Sequence, residues 1–351
     1  MELAAVLAGP SAGTFLAELG ADVIKIENPA TGGDVTRSWK LLKEDPNHPL
    51  SAYYASVNGL TKEVLMADLK AEADRQKVDE LIEQADVVIS SFRPGSGQRL
   101  GLDGRSLLKK HPTLIVGEIS GYGPESGRAA YDMVIQAEAG FLHMNGYPGT
   151  APAKLPVALM DILAAHQLKE GLLLALLQRE KQGKGALVQV SLFDAAVSAL
   201  ANQASNYLMA GHVPGPLGSL HPNIAPYGEQ FQCSDGRSLV LAVGSDRQFE
   251  ALGNLLGLDS TQMQEYASNG SRLANRQKLQ TVLQEAFSRN KRSYWLESMV
   301  ALDIPAGAIR DLKEVFETEE GAALIQSESR NGLTIKRVPQ VIFSIQSDFE
   351  S

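Results

Sequence analysis

The sequence predicts an α/β protein built from βαβ units on a parallel sheet, because short β-rich runs alternate with helical stretches throughout its first half. Two further observations set its organisation. The 351 residues are about twice the roughly 150 of an average domain. Residues 211–226, running from Gly211 to Pro226, are too dense in Gly, Pro and Asn for helix or strand, which marks a loop and a boundary.

The elements follow in order. A helix over Ala12–Leu19 ends at Gly20, a residue suited to the left-handed position past a helix, and Ala21–Glu27 is the strand it feeds. Lys70–Gln84 has the spacing of an amphipathic helix and leads into Ala85–Ser91, an apolar run of buried-strand type. Leu114–Ser120 is a third strand and Pro156–Met160 a shorter one. From Asp161 a long helix runs to about Glu180, then Ala186–Ser191 returns as a strand before a helix over Leu192–Leu208. Beyond the boundary, Tyr227–Val243 is an antiparallel hairpin turning at Ser234-Asp-Gly236, followed by mostly helical chain to Leu302. From Asp311 a helix precedes the strand Leu333–Val338.

Composition narrows the function classes. With 41 acidic and 32 basic residues the net charge is -9, which repels nucleic acid and anionic membrane surfaces at long range. An anionic ligand therefore needs a local cluster of basic groups. No apolar run reaches the ~18 residues of a membrane span, and Glu2 stands where a secretion signal carries Lys or Arg. The single cysteine, Cys233, excludes an intrachain disulfide and fits a reducing, cytoplasmic compartment. The six histidines show no short metal-ligand spacing, so no metal is expected. Gly121-Tyr-Gly-Pro-Glu-Ser-Gly127 follows a strand, but its last gap is one residue too long for a dinucleotide fingerprint and contains Pro124, so NAD is not expected.

Two features carry chemistry. Asp161 stands between the apolar run Leu155–Met160 and a helix, at a strand's C-terminal end, where open α/β sheets bind ligands. It reads equally as an N-cap, worth ~1 kcal/mol, and as a nucleophile kept ionised by helix N–H groups. Arg93 and Arg99 follow the strand ending at Ser91 and suit phosphate oxygens, with Phe92 against an aromatic base; the plain alternative is two solvated arginines.

Taken together, several segments resemble the family III CoA-transferases, the group that includes formyl-CoA:oxalate and carnitine CoA-transferases and the α-methylacyl-CoA racemases. They are Val6-Leu-Ala-Gly-Pro10, Leu19–Glu27, Gly33-Asp-Val-Thr-Arg37, Ala85-Asp-Val87, Phe92-Arg-Pro-Gly95, Arg99-Leu-Gly101, Ile119–Gly123, Ala130-Tyr-Asp132, Val157–Asp161, Pro226-Tyr227 and the hairpin at Asp235-Gly236. The resemblance implies a Rossmann-like large domain of residues 1–200 and 318–351, a smaller α+β domain of residues 201–317, and a homodimer interlocked like chain links. The chain opens a few residues later than is usual in the family, which implies a short first strand. Asp161 falls on the family's catalytic aspartate, which passes CoA from an acyl-CoA to a small carboxylic acid. CoA contacts are implied at Leu7, Ala8, Asn28, Lys70, Ser91, Phe92, Arg93, Arg99, Tyr131 and Asp132. The loop Gly215–His221 occupies the place of a glycine-rich flap but lacks its run of glycines; Gly218, His221, His143 and Asn145 are candidate contacts for the substrate carboxylate. Racemases place a histidine before the aspartate where this chain has Tyr131-Asp132, so transfer is favoured over racemisation. The alternative readings are an α-methylacyl-CoA racemase-like enzyme and a catalytically inactive CoA-binding protein.

Overall fold

The computed structural model describes residues 1–93 and 95–346; Pro94 of the Phe92–Gly95 motif and the last five residues of the expected large domain lie outside the described residues. The chain forms two compact units. One comprises Met1–His143, Ala153–Pro214 and the chain from Ala323 onward; the other comprises Met144–Pro152 and Gly215–Ala322.

The first unit runs β1 (Glu2–Leu3), α1 (Ala8–Glu18), β2 (Ile24–Glu27), α2 (Ala52–Asn58), β3 (Glu63–Met66), α3 (Glu72–Glu83), β4 (Val87–Ser90), α4 (Ser96–Leu100), α5 (Gly104–Lys110), β5 (Ile115–Ser120), α6 (Asp132–Glu138), α7 (Phe141–Met144), α8 (Leu159–Gln182), β6 (Ala186–Ser191), α9 (Leu192–Ser198) and α10 (Ala201–Ala210). The six strands pair in parallel in the order β3-β2-β1-β4-β5-β6. Strand alternation sends Ile89, Ile115 and Ile119 into one core with Ala12 of α1 and Leu168 and Leu172 of α8. Leu3, Ile26, Val88 and Val116 enter another with Val78 and Ile82 of α3 and Leu107 of α5. Both faces of the sheet are thus covered, as parallel strands with continuous apolar runs require. Helix α8 crosses closely at Gly117, where an added Cβ would sit 3.0 Å from Leu168 Cδ1.

The second unit holds β7 (Tyr227–Gln232), β8 (Ser238–Ala242), α11 (Asp246–Leu256), α12 (Ser260–Glu265), α13 (Asn269–Ala274), α14 (Arg276–Phe287), α15 (Arg292–Ala301), β9 (Ala306–Ala308), α16 (Leu312–Phe316) and α17 (Glu319–Ala323). The order β7-β8-β9 is antiparallel, and the turn closes with Gly236 at φ 73°. Phe231 stacks on Phe287 at 4.8 Å in its core. A polar hairpin, β10 (Gln326–Arg330) and β11 (Leu333–Arg337), belongs to the first unit. There Leu60 N–H donates to Glu328 Oε2 at 2.5 Å, and Arg337 pairs with Glu18 and Glu328.

The α/β class and parallel sheet agree with the sequence. Two local expectations do not. Pro156–Met160 is not a strand: residues 151–158 are irregular, and helix begins at Leu159. The helix expected over Leu192–Leu208 is two helices, broken before Ala201, whose φ of 48° lies in the left-handed region. The strands β3 and β10 had no sequence signal, since both show mostly exposed, mixed residues.

Candidate active site

In the strand order, the chain moves outward from β1 to β2 and β3, then returns to β4 beside β1 before moving outward the other way. Leu3 pairs with Ser90 at this reversal. A crevice opens at such a switch point beyond the strands' carboxyl ends. Two of the clefts on this side take in residues singled out in the sequence. One of about 350 Å³ is lined by the turn Ala5–Gly9 after β1, by Ser91, Phe92 and Arg93 after β4, by Ser120 and Gly121 after β5, and by Arg128, Tyr131 and Asp161. The other, about 560 Å³, lies beyond β1, β2 and β3 and takes in Asn28, Gly33, Lys70 and Phe92.

Asp161 is not the N-cap of α8. That position is Ala158, and Asp161 is the third helical residue, buried at 9% exposure. The capping acceptor comes from α6: Asp132 Oδ1 accepts the Met160 N–H at 2.7 Å and the Asp161 N–H at 3.4 Å. Asp132 Oδ2 accepts from Gln136 Nε2 at 2.6 Å, while Gln136 Oε1 accepts the Leu155 N–H, so α6 fixes the approach to α8. Burial, and next the Asp132 carboxylate, push the Asp161 carboxyl up to about 7. This corrects the expectation that helix amides keep it fully ionised: desolvation outweighs the favourable helix end. Tyr53, which the sequence reading missed, feels the same field. Its phenol is pushed up to about 12 by burial and then by Asp161, Asp132 and Asp34, so at neutral pH it is a hydrogen-bond donor; Trp39 meets its ring edge-on at 5.1 Å.

The turn from β1 into α1 is held from below. Val6 has φ 73°, a conformation costly for a β-branched residue. Its N–H donates to Asp34 Oδ2 at 3.2 Å, the Ala5 N–H donates to Ser91 Oγ at 3.3 Å, and Lys25 Nζ donates to Ala4 O at 2.8 Å. Lys25 also pairs with Asp34 at 3.0 Å and with Glu2 at 2.7 Å, and Lys62 pairs with Glu2 at 2.7 Å, all buried. Helix α1 then starts at Ala8, and its N-cap residue, Leu7, makes no side-chain hydrogen bond to the first amides.

The structure thus brings Leu7, Ala8, Ser91, Phe92, Arg93, Tyr131 and Asp161 to one cleft, and Asn28, Lys70 and Phe92 to its neighbour. Asp132 stands behind Asp161 as its cap. Arg99 lines neither cleft; its Nη2 donates to Ser96 Oγ at 3.0 Å. Asn28 uses its side-chain oxygen to accept the Ala30 N–H. His143 is exposed on α7 in the first unit, whereas Asn145, Gly218 and His221 belong to the second. There Gly218 N–H donates to Gly146 O at 2.7 Å, and the His221 ring meets Tyr227 edge-on at 5.1 Å.

Comparison with known proteins accords with this arrangement. Residues 1–346 match the family model described as CoA-transferase family III. The chain is 37% identical to the succinate–glutarate CoA-transferase of Agrobacterium fabrum, over 99% of this chain and 88% of that one. It is 33% identical to the acetyl-CoA:oxalate CoA-transferase of Acetobacter aceti, over 92% and 82%. The crystal structure of a CaiB/BaiF family protein from Brucella suis superposes with a TM-score of 0.82 at 35% identity, covering 99% of this chain and 91% of that one. The switch-point clefts, the motifs along the chain and these matches lead to one conclusion: the chain belongs to CoA-transferase family III.

Proposed function

We propose that the protein moves CoA from an acyl-CoA to a free carboxylic acid, with Asp161 as the nucleophile. The observation that carries this reading is a buried carboxylate, poised near 7, in a cleft beyond the sheet's switch point. The Asp161 carboxylate attacks the thioester carbonyl and the C–S bond breaks, giving a mixed anhydride and CoA thiolate. The thiolate attacks the aspartyl carbonyl, releasing the donor's carboxylate and leaving an aspartyl-CoA thioester. An acceptor carboxylate attacks that thioester, freeing the thiolate; the thiolate then takes the acyl group and restores Asp161. No net proton, metal or redox equivalent is consumed. Each tetrahedral oxyanion needs donors, and the amides at the start of α1 supply them.

CoA lies along Leu7, Ala8, Asn28, Lys70, Ser91, Phe92, Arg93 and Tyr131, with Arg99 and Asp132 at the margins of that path. Gly218, His221, His143 and Asn145 are assigned to the acceptor side. The substrates are short dicarboxylates, a reading supported by the succinate, glutarate and oxalate in the relatives' names. The working form is an interlocked homodimer in the cytoplasm; among the described residues no helix is long and apolar enough to cross a membrane.

The test is incubation with a panel of acyl-CoA esters, a hydroxylamine quench, and peptide mapping by mass spectrometry. The expected result is a hydroxamate on the Asp161 peptide with at least one dicarboxylyl-CoA, together with exchange of labelled free acid into its CoA ester. Clear CoA binding with neither adduct nor exchange overturns the reading.

A further inference from the structure

We propose that Asp34 is a positioning residue whose carboxylate holds Val6 in its left-handed conformation and thereby sets the α1 amides against Asp161. The inference rests on the transferase reading above. Asp34 lies 28 residues from Val6 in the chain, buried, and offers the Val6 N–H both of its oxygens, at 3.2 and 3.4 Å. Val6 has a side chain that strongly disfavours a φ of 73°. Such an outlier persists only where its surroundings over-determine it. Here they do so from several sides: Lys25 holds Ala4 O, Ser91 Oγ holds the Ala5 N–H, and Asp34 holds the next amide.

Asp34 is itself fixed. Oδ1 accepts the Thr36 N–H at 3.0 Å and the Thr36 hydroxyl at 2.8 Å, while Oδ2 pairs with Lys25 at 3.0 Å. Every partner is a donor, so the group must be a pure acceptor at both oxygens. Asn at this position keeps one acceptor for Thr36 and presents an NH₂ to Val6 and Lys25. The turn so held, Ala5–Gly9, forms one wall of the cleft that Asp161 enters. A turn free to relax at Val6 re-aims the first amides of α1; Asp34 and Ala5 also border the second cleft, whose Asn28 and Lys70 stand on other segments.

The experiment compares wild type, Asp34→Asn, and Asp34→Asn combined with Val6→Gly. Steady-state transfer gives kcat and KM, and hydrogen exchange by mass spectrometry reports on the amides of residues 5–9. For Asp34→Asn the expected result is a fall in kcat of about 100-fold, larger than the accompanying rise in KM for the acyl-CoA, and faster exchange at 5–9. Glycine adopts positive φ without a side-chain penalty, so the double variant is expected to recover kcat to within about 5-fold of wild type. Wild-type kcat in Asp34→Asn, or a double variant as slow as the single one, overturns the proposal; the second outcome makes Asp34 only a partner for Lys25. Should Asp34→Asn not fold, the double variant decides: folding with turnover supports the proposal, and failure to fold overturns it. If wild type itself transfers nothing, the transferase reading has failed, and the exchange at residues 5–9 still tests the hold on the turn.

Discussion

Asp161 titrates in two different settings, and that difference is measurable. In the unfolded chain it loses its proton near 3.8, in the folded protein only at about 7. Between those values the folded state holds the proton that the unfolded state has released, so stability falls as pH rises through this window. Above it the deficit is about 4 kcal/mol at 1.36 kcal/mol per pH unit. Asp161→Asn is therefore expected to melt several degrees above wild type at pH 8 and to match it near pH 4, as read by thermal denaturation across pH. Activity runs the other way, because the attacking form is the carboxylate: adduct formation rises with pH through about 7. Asp132→Asn removes the charge that helps to raise the group and is expected to move that inflection to lower pH, measured as single-turnover trapping rate against pH. The importance of Asp161 was legible from an acid set between an apolar run and a helix. Its role in the helix was not, because the cap comes from Asp132, 29 residues earlier. Nothing in Ser51-Ala-Tyr-Tyr54 singles out Tyr53, whose setting arises only when three distant carboxylates converge.

At the scale of elements, the loop around His221 is not free to act as a loose flap along its whole length. Arg276, from the first turn of α14, donates to His221 O at 2.6 Å and to Ile224 O and Tyr227 O, and pairs with buried Glu229 at 2.6 Å. Arg272, one helix earlier, reaches Ala225 O at 2.6 Å. Arg276→Ala leaves Glu229 charged, buried and unpaired, a change expected to cost about 3–5 kcal/mol. Denaturant unfolding of the variant checks this, and the second unit should lose its structure first. In the parallel sheet the strands legible in advance were the apolar, β-branched ones, β2, β4, β5 and β6. An edge strand such as β3, with one neighbour and exposed side chains, needs only a partner's backbone, and its residues carry little of the pattern.

The molecule as a whole leaves large apolar side chains uncovered. Leu173, Leu174 and Leu177 are exposed on α8, Leu208 and Met209 on α10, and Ile342 and Ile345 near the chain end. The proposed homodimer predicts that these side chains are among those its interface covers. Sedimentation equilibrium is expected to give twice the 37.7 kDa chain mass; a monomer at micromolar concentration would refute the dimer. The contact between chain ends has no local sequence signal at all, since Arg337 and Glu18 meet across 319 residues. That pairing bears on biosynthesis. Glu18 also accepts the amides of Gln340 and Val341, and Gln340 meets Ser11. While the chain emerges from the ribosome, the residues of the second unit from Gly215 to Ala322 are complete before the first unit has its final hairpin. The domain that begins first must therefore finish last, and until Arg337 has emerged its α1 waits with an acid still lacking its arginine.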